Sequence, residues 1–478
     1  MEYQKIMKML YEKYGSCYMN DEFYTKIKYW LDWYKGYVET IHKKRVSNGM
    51  NCFEEEVYRL EMAKRVCEDW TSAILADGVK ITITSRNKQT ENLIQGVKHT
   101  SGVLGSNNFD TVLSTFLERV FALGTGAIVA DLENIGVDEA GNLVSVQNAS
   151  IRIRTYDATC IIPLKYSNEV VTDIAFISKT RTPNGEVTTI TTHVLEPDGY
   201  VIYNTAMKGG NQIMLNGLIP MFRTKSQYPL FHLVKTNISN NIDLDSPMGV
   251  SIYANATDIL KAVDLAYDSC IRDTITGQRI ILMNKKLLTK DSTTGNYITP
   301  QDARKSYMYF VGNEVANLGE KGNQFYQEFT PNLNTDKLDA ELQNQLNMLS
   351  NKVGFGTKFY NFNVSSGVTA TEYAGERNDF LRNCNKMKLS IQNSVKNLVL
   401  SIIYLGGIIG KSVDPNAKVD IAIADNIIES DPEKMKLDFE KVDKGIMSKA
   451  EFRAKWDGES LEEAEKKIEV ISSNLSLL

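Results

Sequence analysis

Asp243 and Asp245 stand two apart in the stretch NIDLDSP, a spacing at which two carboxylates can share a divalent cation and activate a water for hydrolysis. The same loop leads into a helix, where acids suit the positive end of the dipole, so a capping role competes with the metal reading. The other residues able to do chemistry are not grouped. His42, His99, His193 and His232 share no metal-ligand spacing, and no Cys–His cluster accompanies them. Cys17, Cys52, Cys67, Cys160, Cys270 and Cys384 are scattered without a CxxC pair, the pattern of free thiols in a reducing compartment. The stretch GGIIGKS, Gly406 to Ser412, has one residue too few between its glycines for a phosphate loop. It also ends a helix, where carbonyls rather than N–H groups are exposed. No GxSxG context is present. The expectation is therefore no catalytic residue, no metal and no cofactor.

The chain that must position these residues has 478 of them, enough for two or three domains. Hydrophobic residues make up 42% and charged residues 24%, the balance of a folded globular protein. The net charge is −5, with Lys and Arg spread along the chain. That argues against tight nucleic-acid binding, which needs clustered cations. The opening MEYQKIMKMLYEKYGS has no apolar core or cleavage site, so no signal peptide is expected. Asn397 to Gly410, the most apolar run, is too short to span a bilayer and reads as a buried helix end.

Periodicity divides the chain. The first quarter reads as helical, with Phe23, Ile27, Trp30, Leu31 and Tyr34 on one stripe and Val57, Leu60, Met62, Ala63, Val66 and Trp70 on another. FEEEVYRLE, from Phe53, reads as an acidic helix start, and a third helix runs near Phe109 to Leu123, ending in GTGA. From Ala127 to about Leu233, short β-branched runs separated by EAGN, TPNG and EPDG predict a mostly antiparallel sheet. After NISNNIDLDSPMG, a helix from Val250 carries Ile252, Ala256, Ile259, Val263 and Tyr267 on one side. Thr274 to Leu333 is turn-rich with the short strands RIILM, SYMYFVG and QFYQEF. A helix with Leu338, Leu342, Leu346 and Leu349 in line follows it. Two helices of similar length then carry a small β-rich module at their far end, an antiparallel pair in the simplest geometry. KVDIAIAD predicts a strand, and two charged helices close the chain, one begun by a Ser448–Glu451 capping box, the other with Pro432 early in it.

Between Gly354 and Gly367, GFGTKFYNFNVSSG is a small, polar and aromatic loop. It is followed by about forty helical residues, roughly 60 Å at 1.5 Å each. Thr369 and Glu372 form a capping box at the helix start. Phe380, Cys384, Met387, Ile391, Val395, Leu398, Ile402 and Leu405 follow in steps of three and four. A loop held between two helices in this way is a place for function.

The order of these parts resembles the portal proteins of tailed bacteriophages, in the group found in phages of Gram-positive bacteria. The resembling pieces are WLDWYKGY, MAKRVCEDWTSAIL, GTGAIVAD, NNIDLDSPMGVSIYANATDILKAVDLAYD, GVTATEYAGERNDFLR and VDKGIMSKAEFRAKWDG, in family order over nearly the whole chain. The resemblance implies an α+β, portal-like fold. Its parts are an α/β wing (1–245), a two-helix stem (246–273 and 334–354), a small β-rich clip (274–333), a tunnel loop (355–368), a long wing helix (369–412) and a short helical crown (413–478). It implies no enzyme but a ring of identical subunits, usually twelve, at one vertex of the virion capsid, assembled in the host cytoplasm. Double-stranded DNA enters and leaves through the axial channel, without sequence-specific contacts. The implied partners are the terminase large subunit, a head–tail adaptor, and the major capsid and scaffold proteins, with no membrane.

The resemblance places Phe355, Lys358, Phe359, Tyr360, Asn361, Phe362, Asn363, Ser365 and Ser366 facing DNA, with Thr369 and Glu372 capping the next helix. It places Lys285, Lys286, Lys290, Arg304 and Lys305 in the clip, where terminase and adaptor dock. Lys358 is either a solvated lysine or one of a ring of weak phosphate contacts. The loop aromatics either stack on bases or pack against the neighbouring subunit's loop. The alternatives are a metal-dependent nuclease using Asp243 and Asp245, and a structural scaffold or peripheral membrane protein using the amphipathic end of the long helix.

Overall fold

The structure, a computed structural model, describes residues 2–18, 20–47, 52–76, 78–96, 102–167, 169–183, 185–215, 217–277, 279–284, 292–295, 307–312, 326–329, 332–361, 370–423, 431–457 and 461–475. The chain forms two compact units, residues 1–74 with 80–422 and residues 75–79 with 423–478.

In the first unit, helix α1 (Glu2–Tyr14) turns Ile6, Met7 and Leu10 onto the sheet residues Ile162, Ile177, Ile190 and Met207. Helix α2 (Asp21–Tyr34) starts at Asn20, whose side chain accepts the Phe23 N–H at 3.0 Å, and buries Phe23, Ile27, Trp30 and Trp33. Leu31 and Tyr34 are only half-buried, so the face is turned slightly from the expected stripe.

After the short α3 (Glu39–His42), the structure departs from the sequence reading. The expected acidic helix start is a strand. β1 (Lys43–Ser47) pairs antiparallel with β2 (Cys52–Glu56), placing Lys43, Lys44 and Arg45 opposite Glu56, Glu55 and Glu54. Opposite charges facing each other across a hairpin attract, and that pairing prevails over the helical spacing. Helix α4 begins only at Met62 and runs to Leu75, burying Met62, Ala63, Val66 and Trp70. Strand β3 (Val79–Thr84) and helices α5 (Lys88–Gln95), α6 (Val103–Ser106) and α7 (Phe109–Leu123) follow, α7 with the expected bounds.

The strand-rich region is antiparallel as expected, but it forms two main sheets. Strands β4 (Thr125–Glu133), β7 (Ser150–Asp157) and β14 (Phe231–Lys235) form one, in the order β14-β4-β7. The small hairpin β5 (Gly136–Val137) and β6 (Leu143–Ser145) interrupts it in sequence. β8 (Ile161–Ser167), β9 (Val170–Thr182), β10 (Gly185–Glu196), β11 (Gly199–Lys208) and β12 (Asn211–Ile213) form the other, with β13 (Met221–Arg223) also on β11. One face of this larger sheet takes α1. The other packs on the smaller sheet, where Phe176 stacks on Tyr156 at 4.6 Å and meets Phe231 at 6.1 Å.

The end of α7 meets the loop after β14 in a backbone-to-backbone contact. Gly124 closes α7 in the left-handed region (φ +85°), and a Cβ there would lie 2.4 Å from the Val250 carbonyl carbon. A Cβ on Gly249 would lie 2.5 Å from the Gly124 oxygen. The Gly249 N–H donates to Thr125 Oγ1 at 2.8 Å, and the Thr236 hydroxyl donates to the Val250 carbonyl at 2.6 Å. The Ile252 N–H donates to the Phe121 carbonyl at 2.9 Å, and the Tyr253 hydroxyl to the Trp30 carbonyl at 2.8 Å.

Helix α8 begins at Thr257 and ends at Thr276, after a 3-10 turn at Ala254–Ala256, later than the expected start at Val250. Ile259 and Tyr267 are half-buried, while Asp264 and Asp268 are buried. Asp264 accepts the Leu60 N–H at 2.8 Å and Asp268 the Tyr58 N–H at 3.0 Å. Four helical residues rise about 6 Å. Two extended residues span about 6.6 Å. The two carboxylates thus match alternate N–H groups of the link between β2 and α4. His42 Nδ1 accepts the Val38 N–H at 2.8 Å, which leaves Nε2–H to donate to Asp264 at 3.1 Å; burial favours this neutral ring. Burial pushes Asp268 up, but Arg272 at 2.8 Å and the Tyr58 N–H outweigh it and hold its carboxyl below the usual range.

The far ends of α8 and α9 (Thr335–Lys352) meet, the Asn334 N–H donating to Asp273 at 2.9 Å, and the helices pack side by side as the expected antiparallel pair. Between them lie β15 (Arg279–Asn284), β16 (Tyr307–Gly312) and β17 (Tyr326–Phe329), at the expected places. β15 is central, parallel to β16 and antiparallel to β17. Helix α10 (Ala370–Ile408) buries its whole expected stripe, from Phe380 through Cys384, Met387, Ile391, Val395, Leu398 and Ile402 to Leu405. Strand β18 (Lys418–Ile423) pairs with β3. All six cysteines are free thiols.

The second unit contains α11 (Asp431–Asp443), with Pro432 second in it, α12 (Lys449–Trp456) and α13 (Leu461–Leu475). The expected capping box is formed: Ser448 Oγ accepts the Glu451 N–H at 3.1 Å, and Glu451 accepts the Ser448 N–H at 2.8 Å. Asp438 joins α11 to α12, accepting from Lys455 at 2.6 Å, Lys441 at 2.9 Å and Trp456 Nε1 at 3.2 Å. The two ammonium groups hold its carboxyl down to about 2.

Two outcomes follow. Gly249→Ala forces a side chain into backbone and is expected to cost about 3 kcal/mol of stability, read by denaturant melting. A depressed carboxyl stabilises above its unfolded value of 3.8 and loses that contribution as pH falls through its folded value near 2. Stability is therefore expected to fall between about pH 4 and 2, while the Trp456 indole N–H resonance of the folded chain holds its position to about pH 3 and shifts with a midpoint near pH 2. Asp438→Asn removes this transition.

Candidate functional site

The loop after α9 is built in its first half as a wedge of aromatic rings. Phe355 stacks on Phe359 at 4.3 Å with planes 11° apart, and lies 5.3 Å from Trp70 of α4 and 5.1 Å from Phe380 of α10. Phe355 is 4% exposed and Tyr360 8%, whereas Phe359 is 46% exposed. Within the subunit, the side chains of Phe355 and Tyr360 are core, with Phe355 packed on Trp70 and Phe380 of its own chain, while Phe359 keeps an open face. Burying an aromatic ring against three others removes more apolar surface than a loop exposed to water can.

Polar groups fix the same segment from three helices. The Phe355 N–H donates to the Ser350 carbonyl at 2.9 Å, and the Tyr360 N–H to the Ser350 hydroxyl at 3.2 Å. Gln343 donates to the Tyr360 carbonyl at 3.0 Å, and Trp70 Nε1 to the Val353 carbonyl at 3.1 Å. The Asn383 amide donates to the Gly354 carbonyl at 3.1 Å, while Asn237 donates to the Asn383 carbonyl at the same distance. The Tyr360 hydroxyl donates to Asp69 at 3.0 Å, and Arg65 binds both oxygens of that carboxylate at 3.0 Å. Burial pushes Asp69 up and holds the Tyr360 phenol protonated well above its ordinary range. Sequence reasoning missed Asp69, Trp70, Gln343, Ser350 and Asn383. The available signal was polar residues inside apolar helical stripes, at Gln343 and Asn383.

Lys358 is exposed and Asn361 half-buried. Phe362, Asn363, Ser365, Ser366 and Thr369 lie outside the described residues, as do Lys285, Lys286, Lys290, Arg304 and Lys305. Glu372 lies in the first turns of α10, but its side chain is outside the described part, so the expected box with Thr369 is too.

The two aspartates do not make a metal site. Asp243 uses one oxygen for the Tyr18 hydroxyl and for the Asn20 amide at 2.6 Å, and the other for the Asp245 N–H at 3.2 Å. It ties the chain before α2 to the loop before α8, with Asp245 exposed beside it. Among the described residues no group of three His, Cys, Asp or Glu side chains could hold a metal ion. A cavity of about 750 Å³ between Pro229–His232 and the end of α10 is lined by Leu230, Leu400, Ile403 and Tyr404. Among the described residues, the only titratable group in its lining besides Tyr228 and Tyr404 is His232, held to Ser401 at 2.9 Å and pulled down to about 4 by burial. That lining offers no acid–base pair. The apolar end of α10, which a membrane reading would need, is buried in the subunit from Val395 to Leu405 along its stripe. Among the described residues no helix is long and apolar enough to cross a membrane.

A family model described as "Phage portal protein, SPP1 Gp6-like" matches residues 17–472. No curated protein matches the chain. Among solved structures, a chain in "Neck of native GTA particle computed with C12 symmetry" is 11% identical, over 82% of this chain and 88% of that one. Its TM-score of 0.34 is too low to carry an argument.

The wedge sets the expected response to mutation. Phe355→Ala is expected to cost about 3–5 kcal/mol by leaving a cavity against Trp70 and Phe380. Tyr360→Phe is expected to cost only about 1 kcal/mol, since Asp69 keeps Arg65. Equal losses for the two in denaturant melts would contradict the wedge.

Proposed function

The chain belongs to the SPP1 Gp6-like family of phage portal proteins, a structural family, and from that premise we propose how its parts serve a portal. Identical copies, twelve by family expectation, close a ring at one capsid vertex after synthesis in the host cytoplasm. The ring's axial channel passes double-stranded DNA during packaging and ejection. Residues 1–245 and α10 are the wing, α8 and α9 the stem, and 274–333 the clip that docks the terminase large subunit and later the head–tail adaptor. Residues 413–478 form the crown, and the wing meets the major capsid and scaffold proteins.

The observation that carries this reading is the family match across residues 17–472. The order of elements supports it: α8, the three strands β15–β17, α9, an aromatic loop, then the 39-residue α10. The electrostatics suit it as well. A channel must let DNA slide, and a chain with net charge −5 and no cluster of cations at the loop does not grip phosphates. In this reading DNA meets the loop beyond its wedged base, at Lys358, Phe359, Asn361 and the residues up to 368.

Imaging of the purified protein, with its mass in solution, tests the ring. A ring with a central hole and roughly twelve times the 53.8 kDa subunit mass is expected. A compact dimer insensitive to concentration and salt contradicts it. Lys358→Ala is expected to lower packaged DNA per particle while rings still form; unchanged packaging removes Lys358 from the DNA path.

A further inference from the structure

The β1–β2 hairpin has an unusual division of charge. β1 reads KKRVS and β2 reads CFEEE, so one strand carries only bases and the other only acids. The two form a sheet of their own, which leaves each with an outer edge that no strand among the described residues covers. One face of the hairpin is fixed to α8: Lys44 reaches Asp268 at 3.5 Å, Glu55 reaches Arg272 at 2.9 Å, and Arg272 donates to the Glu56 carbonyl at 3.1 Å. The other face presents Lys43, Arg45, Glu54 and Glu56 to solvent, with Lys43 and Glu54 paired at 2.7 Å.

Open strand edges invite pairing, and proteins commonly guard them with charge. Here the guard is selective. Two copies meeting β1 to β1, or β2 to β2, oppose like charges across the new pair, which is unfavourable. Meeting β1 to β2 opposes bases to acids. The edges therefore disfavour a two-fold contact and favour a head-to-tail one, the kind of contact that closes rings.

We propose that the hairpin is a joint between subunits, in which the basic edge of β1 on one copy adds to the acidic edge of β2 on the next copy of this chain. Backbone hydrogen bonds across the new strand pair supply the attachment, and the charges set its direction. Because α8 holds the hairpin through Asp268 and Arg272, the joint fixes the spacing of neighbouring α8 helices. This rests on the ring reading above.

The test uses rings assembled from equal parts of ¹⁵N-labelled and unlabelled full-length chain, cross-linked by carbodiimide between lysines and carboxylates and analysed by mass spectrometry. Peptide pairs joining 43–44 to 54–56 are expected with mixed isotopes. Rings whose links at this site are all of one isotope overturn the joint and leave the ring standing. A chain that stays monomeric overturns the ring reading, and the joint falls with it. A complementation experiment adds a second readout. Lys43→Glu with Arg45→Glu makes both edges acidic, and Glu54→Lys with Glu56→Lys makes both basic. Each is expected to lower ring yield about tenfold alone, since opposed like charges replace attractive pairs. An equimolar mixture restores rings by alternating the two. Full ring yield from either variant alone overturns the joint.

Discussion

The contact between the backbones at Gly124 and Gly249 is what the rest of the first unit is arranged around. There is no room for a side chain on either residue, so the end of α7, the start of β4 and the loop into α8 are brought to one distance of approach. From that point the hydrogen bonds run outward: Thr125 and Thr236 to the loop, Phe121 to Ile252, and Tyr253 to Trp30 of α2. The ring of Phe121 lies 5.8 Å from Trp70. Trp70 in turn contacts Phe355 and Phe380 and donates to Val353. A single packed path thus leads from the sheet to the base of the loop after α9.

Two devices extend this frame, and they differ in chemistry. Along α8 the fixing is polar: carboxylates one helical turn apart accept N–H groups two residues apart, so the helix serves an extended chain as a neighbouring strand would. At the loop base the fixing is aromatic, with hydrogen bonds mostly to backbone groups the rings would otherwise strand and one side-chain link, Tyr360 to Asp69. Neither arrangement contains a group set up to transfer protons or bind a metal. A portal subunit has no need of one. Stiffness is the property that both devices supply, and it suits a subunit of a structural family.

Much of this was legible in the sequence. The stripe from Phe380 to Leu405 is buried at every position because α10 is long enough for helical spacing to dominate, and the three strands between α8 and α9 sit where β-branched and aromatic runs placed them. The hairpin was misread because FEEEVYRLE has a helix's composition, and only the distant KKR reveals that the acids face partners across a turn. Asp264 and Asp268 spoil the apolar stripe of α8 for the same reason: a buried carboxylate is intelligible only once its donors are in view, and the Leu60 and Tyr58 N–H groups lie 204 and 210 residues away in sequence. Phe355 and Tyr360 sit among glycines and polar residues, so nothing local marks them as core. Their burial depends on Trp70 and Phe380, which local patterning cannot bring together. Splitting one expected antiparallel sheet into two also depends on long-range order, since β14 returns to β4 across the whole of the larger sheet.

The central claim is that the first half of the loop after α9, from Gly354 to Tyr360, is locked onto its own subunit. Amide hydrogen exchange on the full-length protein tests it most directly. The N–H groups of Phe355 and Tyr360, both bound to Ser350, are expected to exchange as slowly as those in the buried middle of α10. Exchange of these two amides at the rate of an open surface turn would contradict the account.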